Sequence, residues 1–495
     1  MTTEKKADDP STTSYAYDYM LPKWEMVETL LGGTSAMRAA GEDYLPRHAE
    51  EDGSNYFERL NSTTLYNMFE LTLDTLVGKP FSDEIKLNDD VPEPIADITS
   101  DIDLRGNNIT AFARHWFRES IAKGFAHIYI DMPALSEEDR AGRTRADDLQ
   151  ERRRPYWNFI KPENVIFAHA DYEHGKLVYR HIRIKEELIE MDGFSEIVKQ
   201  RIRVLEPGIW MVYEYRRAKN KTKGQWVLVE EGATGLDYIP FLTFYSDYSD
   251  LMVAKPPLED LAFLNIRHWQ STSDQINVLT VARFPMLAVA GATDHTGSVM
   301  AIGPKQLLGT KDPNGRFYYV EHTGRAIEAG RQDLMDLEQM MASYGAEFLK
   351  RRPGNQTATA RALDSAEAMS ALQDVATRFQ DILNKAMDIT ADWLSLDEGG
   401  TVDLITDFGP DKANAERLRT LLEARKNGDI SREDFLMQLK EMQILTDDFD
   451  PTANLMRLMA EVALAGIDLS MVNQNDFRDD SNKNSKEETE SEELQ

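Results

Sequence analysis

The 495-residue sequence contains no cysteine. That excludes disulfides, thiolate metal sites and thiol nucleophiles, and it is compatible with assembly in a reducing cytoplasm. Long apolar runs are missing as well. The longest, Phe284 to Ala292, is far too short to cross a bilayer, and the polar stretch from Met1 to Ser14 has no apolar core of a signal peptide. Neither export nor membrane insertion is expected. Positive charge is scarce: 56 Lys and Arg stand against 86 Asp and Glu, a net charge of -30 at pH 7. Tight, sequence-independent binding of nucleic acid places cations against phosphates and releases counterions, so this balance argues against a protein that grips DNA. It does not argue against a conduit, because a repelling wall keeps a sliding polyanion from sticking. The same acidity also serves ordinary solubility.

Catalytic signatures are absent in the same way. The nine His residues form no zincin pair; His169 and His174 stand five apart with the wrong residues between them. Gly32-Gly33-Thr34-Ser35 lacks the Lys and the glycine spacing of a phosphate loop and reads as a turn between helices. Asp407-Phe408-Gly409 spells a kinase tripeptide without the Gly-rich loop, strand Lys or catalytic Asp that give it meaning. Asp101, Asp103 and Gly106 resemble a calcium loop faintly, but Arg105 stands at a ligand position and Phe112 where a bidentate Glu is needed. No catalytic residue, metal ligand or cofactor is therefore assigned.

What is present is a chain too long for one hydrophobic core to serve, 41% hydrophobic and 29% charged, as in ordinary folded proteins. Two or more packing units, or an elongated oligomerising subunit, are expected. Residues 1–20 and 476–495 are expected to be disordered; from Asp476 onward there are eight acidic and three basic residues and little to bury. Trp24 to Leu31 and Tyr56 to Val77 carry apolar residues at helical spacing, the latter stopped by Gly78-Lys79-Pro80. Ile109 to Lys123 is a further helix ended by Gly124, and Phe125 to Met132 alternates as a strand. Asp139 to Arg154 reads as a charged, solvated loop. From Trp157 to about Tyr245 short β runs predict an antiparallel β-rich unit: Asn164 to Ala168, Leu177 to Ile184, Arg201 to Leu205, Trp210 to Arg216 and Trp226 to Glu230.

After Pro257 the chain turns helical. Leu258 to Arg283 has no Gly or Pro; Phe284 to Arg325, punctuated by Gly and Pro, reads as a small β insertion. In the next helix Ile327, Gly330, Leu334, Leu337, Met341, Tyr344 and Phe348 alternate at steps of three and four, which puts them in one stripe along the helix. Lys350-Arg351-Arg352-Pro353-Gly354-Asn355-Gln356 then breaks the helix with a basic loop, where cations and amides suit phosphate oxygens, or where the cations answer a helix dipole. A long helix to about Leu396 follows, rich in Ala and Ser at first and then carrying Leu372, Val375, Phe379, Ile382, Ala386, Ile389, Trp393 and Leu396. An extended run, Thr401 to Phe408, and helices at Lys412 to Lys426, Ser431 to Lys440 and Thr452 to Leu464 complete the chain. Ser431 and Asp434 stand near capping-box positions. The fold class expected is α+β, mainly α-helical.

That order of elements resembles the portal proteins of tailed bacteriophages. Local sequence is similar too: Trp24 through Gly32, Gly41-Glu42-Asp43-Tyr44-Leu45-Pro46-Arg47, Tyr56 through Leu60, Leu76-Val77-Gly78-Lys79-Pro80-Phe81, and Pro256-Pro257-Leu258 through His268 with Leu261, Asn265 and Ile266. The resemblance implies a wing over residues 21–255, stem helices over 256–283 and 326–349, and a clip over 284–325. It further implies a tunnel loop over 350–356, a long wing helix over 357–396 and a crown over 397–475. Lys350, Arg351, Arg352, Asn355 and Gln356 would then face DNA, and Ile327, Leu334, Leu337, Met341, Tyr344 and Phe348 would form the stem-helix packing and oligomer seam. The function implied is non-enzymatic: a dodecameric ring at one capsid vertex, assembled in the host cytoplasm, through which double-stranded DNA passes during packaging and ejection. Its implied partners are further copies of itself, the large terminase subunit, the major capsid protein, scaffold and head-tail adaptor or neck proteins. The other readings left open are a cytoplasmic enzyme without a recognisable motif and a head-tail adaptor or scaffold protein.

Overall fold

Ser14 starts the first helix by accepting a hydrogen bond from the Tyr17 amide. In the computed structural model, which describes residues 9–133, 147, 151, 153–217, 224–283, 286–290, 314–320, 324–347, 358–406, 411–441, 453–454 and 456–457, the chain divides into two units, Met1–Phe408 and Gly409–Gln495. The first unit opens with helices α1 (Tyr15–Leu31), α2 (Gly33–Ala40), α3 (Gly53–Ser62) and α4 (Met68–Gly78). The single helix expected over Tyr56–Val77 is therefore two. The Asn67 side chain caps α4 by accepting from the Glu70 amide and donates to the Leu30 carbonyl, so the break between Ser62 and Met68 is fixed by local and tertiary bonds together.

A short strand β1 (Lys86–Leu87), α5 (Glu93–Ile98) and α6 (Ile109–Lys123) follow. Helix α6 begins where Asn108 caps it and stops at Gly124, as its periodicity predicts. Gly124 has φ +94, and a Cβ there would stand 2.8 Å from that of Ala254, so only glycine lets the chain turn at once into strand β2 (Phe125–Asp131). Strands β3 (Tyr156–Ile160), β4 (Val165–Glu173), β5 (Lys176–Asp192), β6 (Ser195–Glu206), β7 (Ile209–Arg216), β8 (Gln225–Ala233) and β9 (Phe241–Tyr245) form two antiparallel sheets. One has the order β3-β2-β9 and the other β4-β5-β6-β7-β8. The β-rich unit is present where the sequence places it, but β5 and β6 run much further than Leu177–Ile184 and Arg201–Leu205. They meet across the Asp192-Gly193-Phe194-Ser195 turn.

Strand β2 is covered on both faces. Ala126, Ile128 and Ile130 join the helical core with Trp116 and Phe117 of α6, while Phe125 and Tyr129 join Ile182, Ile184 and Leu205 of the five-stranded sheet. His127, fully enclosed on the second face, bonds Thr243 Oγ1 at 2.9 Å, and burial depresses its imidazole to about 3, so it is neutral. Arg153 and Arg154, read from sequence as loop solvation, instead tie this region: Arg153 donates to the Pro133 carbonyl and Arg154 to Asp101.

After strands β10 (Tyr248–Asp250) and β11 (Val253–Ala254) come helix α7 (Glu259–Ala282), strands β12 (Met286–Ala290) and β13 (Arg316–Val320), helix α8 (Arg325–Glu347), helix α9 (Ala358–Leu394) and strand β14 (Val402–Asp403). The bulky seam of α9 enters the helical core. Phe379 lies 5.2 Å from Trp116, 5.1 Å from Phe117 and 4.8 Å from Phe244 between ring centroids, in edge-to-face contacts. Trp157 and Trp393 pin α9 to the three-stranded sheet by donating to Thr390 Oγ1 and the Ile130 carbonyl. The second unit contains α10 (Asp411–Asn427) and α11 (Arg432–Glu441); Ser431 accepts from the Asp434 amide and donates to its carboxylate, as the spacing predicts.

Lys123, at the end of α6, is wholly buried and surrounded by carboxylates: Glu119 at 2.9 Å, Glu163 at 2.9 Å, and Glu28 of α1. Burial opposes its charge, but Glu119, Glu163 and Glu28 outweigh that and hold the ammonium above the ordinary lysine value. Its carbonyl also accepts from Trp24 Nε1. Lys123→Met leaves Glu119 without its cation and Glu28 and Glu163 with Lys161 alone, at 3.5 and 3.7 Å, and the expected loss is about 3 kcal/mol, towards the lower end for a broken buried pair because Glu28 and Glu163 also reach solvent. A denaturant midpoint equal to that of the wild type would contradict this.

Candidate functional site

Helices α7 and α8 lie antiparallel and are joined side by side along their length. Tyr344 donates to Asp260 at 3.2 Å, the His268 ring is 3.5 Å from Glu338, Ser271 donates to Asp333 at 2.8 Å, and Gln275 donates to the Ile327 carbonyl at 2.9 Å. A Cβ on Gly330 would stand 2.0 Å from the Gln275 amide oxygen, so a larger residue there would displace the side chain that bonds the Ile327 carbonyl. At one end of the pair the chain forms the antiparallel ladder β12–β13, from Met286↔Val320 to Ala290↔Arg316. At the other end of α8 comes the basic segment, and then α9.

Helix α7 is anchored to the first four helices by polar bonds that sequence periodicity does not reveal. Asn265 accepts from the Phe69 amide and donates to the Tyr66 carbonyl, satisfying the interruption before α4. Arg59, almost fully buried, donates to both oxygens of Glu51, to the Pro46 carbonyl and to Ser273 of α7. The hydrogen bond from Arg59 holds the Glu51 carboxyl at about 2, against the opposing effect of burial.

Of the stripe named from sequence, Leu337 and Met341 are 2% and 0% exposed, so they are buried within this chain. Ile327, Leu334 and Tyr344 are half-buried. Phe348 lies outside the described residues, as do Lys350, Arg351, Arg352, Asn355 and Gln356. The side chains that reach outward from the pair are others: Phe263 is 58%, Met335 48% and Met340 50% exposed. A shallow groove of about 420 Å³ beside them is lined by Leu264, Asp336, Gln339, Met340, Ser343 and Tyr344. Periodicity found the inward stripe because it is regular; Met335 and Met340 fall off that register and were missed.

The residues weighed for catalysis have structural uses. Asp101 accepts from the Gly106 amide, and Asp103 accepts from Asn107 Nδ2 and the Arg105 amide, so both carboxylates close their own loop. Gly32 and Gly33 join α1 to α2, and Asp407-Phe408-Gly409 lies outside the described residues. Burial raises the Asp131 carboxyl, with Tyr156 Oη 3.4 Å away. Among the described residues no group of three or more His, Asp or Glu could hold a metal ion, and no helix is long and apolar enough to cross a membrane.

Residues 257–394 match the model of a family described as a domain of unknown function, DUF4055. The match starts two residues before α7 and ends with the last residue of α9, so it spans the helix pair, its β insertion, the basic segment and the long helix. No curated protein matches the sequence. Among solved structures, the chain is similar to one from the neck of an empty gene transfer agent particle, with TM-score 0.40 and 11% identity over 83% of this chain and 99% of that one. It is also similar to a chain of the virion of a native gene transfer agent particle, with TM-score 0.39 and 12% identity over 81% and 98%. A third, from the neck of a native particle, has TM-score 0.38 and 12% identity over 75% and 89%.

Two outcomes are expected at this site. Met341→Asp buries a carboxylate with no cation and should lower subunit stability by about 3 kcal/mol or more, whereas Met340→Asp, one residue earlier but facing out, should stay within about 0.5 kcal/mol of wild type. Equal denaturation midpoints for the two variants would contradict the placement of α8. For the Arg59–Glu51 pair, a depressed carboxyl contributes stability that is present above the ordinary carboxylate value and lost as pH falls through the depressed one. The gap in melting temperature between wild type and Glu51→Gln should therefore shrink as pH is lowered from about 5 to about 2. A gap constant over that range would contradict it.

Proposed function

We propose that this chain is one subunit of a tailed-phage portal ring. The observation that carries the reading is the arrangement of residues 257–394: two antiparallel helices with a β insertion at one end, a basic segment at the other, then a 37-residue helix whose second half is built into the subunit core. It is supported by the sequence resemblance at Trp24 through Gly32, Leu76 through Phe81 and Pro256 through His268. A rod of paired helices that shows Phe263, Met335 and Met340 to solvent has an apolar face to cover, and neighbours in a closed cyclic ring supply the cover.

On this reading the helix pair is the stem, the β12–β13 insertion is the clip that docks the terminase and later the neck proteins, and residues 350–356 are the tunnel loop. The helices and sheets before α7 are the wing, and the C-terminal helices form the crown. The ring is a dodecamer at one capsid vertex, in contact with the major capsid protein, scaffold and adaptor. Catalysis is not part of the role, because the packaging motor supplies the energy. The subunit supplies a hole of fixed width and a docking rim. Its net charge of -30 keeps DNA from sticking to the wall, with Lys350, Arg351 and Arg352 as a local exception.

Negative-stain micrographs and native mass spectra of the purified chain should show closed rings with a mass near twelve subunits. A species that stays monomeric or dimeric at all concentrations, and also with capsid proteins present, would end the portal reading. Replacing Lys350, Arg351 and Arg352 together by Ser should leave rings intact and impair DNA packaging or retention. Normal genome length and infectivity in that variant would remove the loop from the DNA path.

A further inference from the structure

The face of β2 that meets the five-stranded sheet buries an imidazole. His127 is 0% exposed there: its Nδ1 bonds Thr243 Oγ1 of β9 at 2.9 Å, and its Nε2 has no hydrogen-bond partner among the described residues. The rings of Phe125 and Phe241, 5.3 and 5.0 Å away between centroids, flank it from its own sheet. The layer above belongs to the other sheet. Tyr179 of β5 stands edge-on to Phe241 at 5.6 Å and shares the Thr243 hydroxyl at 2.8 Å, and Ile182, Ile184 and Leu205 close the same core. The opposite face of β2 lies in a separate core with α6 and α9, through Ala126, Ile128 and Ile130. Hydrating Nε2 means lifting the five-stranded sheet, and the helical core is not on that side.

An imidazolium carries a charge and two N–H donors, and this site offers one hydroxyl. No charged group lies against the ring, so burial alone disfavours its charged form. The titratable groups that share this space are Tyr179 and Tyr245, whose ionisation burial suppresses, and further along the same face Tyr129, Asp131 and Tyr156, with the Glu186–Arg203 pair from β5 and β6. Asp131 acts in the opposite sense: burial raises its carboxyl, so falling pH favours its enclosed form. His115 and His268, also depressed by burial, belong to α6 and α7. We infer that His127 is an acid-sensitive pin: its protonation releases the five-stranded sheet from β2 and β9, while the helical core on the far side of β2 stays closed. A ring depressed on enclosure stabilises the closed state above its ordinary value, here 6.5, and that contribution is lost as pH falls from there towards the depressed one. The depressed carboxyls of Glu28 and Glu51 respond only below their ordinary 4.5, which leaves the interval between to the imidazole. The device belongs to the single subunit and does not rest on the ring reading.

Because the chain has no cysteine, a single introduced thiol reports opening at one place. Ile182→Cys on β5 probes the pinned core and Val77→Cys on α4 the helical one, at positions 0% and 1% exposed. The purified full-length chain is labelled with dithiodipyridine, which reacts in acid as well as at neutrality, and each rate is divided by that of the urea-unfolded chain at the same pH. From about pH 7.5 to about pH 5 the corrected rate at position 182 should rise about 30-fold, or about tenfold for each unit below 6.5, because the open state takes up the proton that the closed state refuses. Adding His127→Gln should abolish that rise and leave the response at position 77 as it was. A flat profile at 182, a rise that survives His127→Gln, or a change at 77 as large as that at 182 would overturn the pin. If His127→Gln does not fold, the parent profiles decide. A rise at 182 that starts near 6.5 and exceeds that at 77 is then expected, and one that starts only below 4.5, where carboxylates protonate, overturns the pin.

Discussion

Strand β2 has no solvent face, and that constraint organises the larger unit. Its even-numbered side chains, Ala126, Ile128 and Ile130, enter a core of helices; Phe125 and Tyr129 enter a core of strands. Every element that must stay in register with it does so by a directed bond as well as by burial. Trp116 donates to the Ala126 carbonyl from the helix before it, and Trp393 to the Ile130 carbonyl from the long helix far along the chain. A strand enclosed in this way tolerates polar groups only when they are matched, which is why His127 is held neutral against Thr243 and why the ammonium of Lys123, one residue before the turn, is ringed by carboxylates. A chain so acidic overall thus places one of its cations where it is least accessible.

The helix pair obeys a different logic. Its inward side is specified by side chains that fit one place only, such as Asn265 bridging the Phe69 amide and the Tyr66 carbonyl. Its outward side is specified by little beyond apolarity at Phe263, Met335 and Met340. Methionine suits such a face, since an unbranched, polarizable side chain packs against more than one geometry. Burial and exposure thus fall to neighbouring residues of one helix, Met341 at 0% and Met340 at 50% exposed, and the two faces can be altered separately.

Helix α6 was readable to the residue and strand β2 to within one, because Asn108 and Gly124 punctuate a strongly periodic segment. The two helices of the pair, the β insertion and the long helix were readable because Gly and Pro are absent from α7 and α9 and crowd the stretches between the helices, with only Gly330 and Gly345 inside α8. The break between α3 and α4 was not, since Leu65 fits helical spacing and what ends α3 is a carbonyl-to-arginine bond, Thr63 to Arg38, supplied from another helix. The reach of β5 and β6 was missed because charged residues interrupt their alternation, which is the mark of a strand pair without a core face. The direction of the α8 stripe could not be read at all. Periodicity tells which residues share a face and is silent on whether that face meets its own chain or another.

The ladder β12–β13 has a bearing on how freely this protein can diversify. Met286 and Val320 are direct partners, so the chain leaves the helix pair and rejoins it within about 5 Å. The residues beyond Ala290 and before Arg316 are therefore tethered at a closed gate, and closing a longer loop there costs only about 0.6 kcal/mol for each doubling of its length. A segment grafted between Ala290 and Arg316 is therefore expected to leave the packing of α7 on α8 as it is.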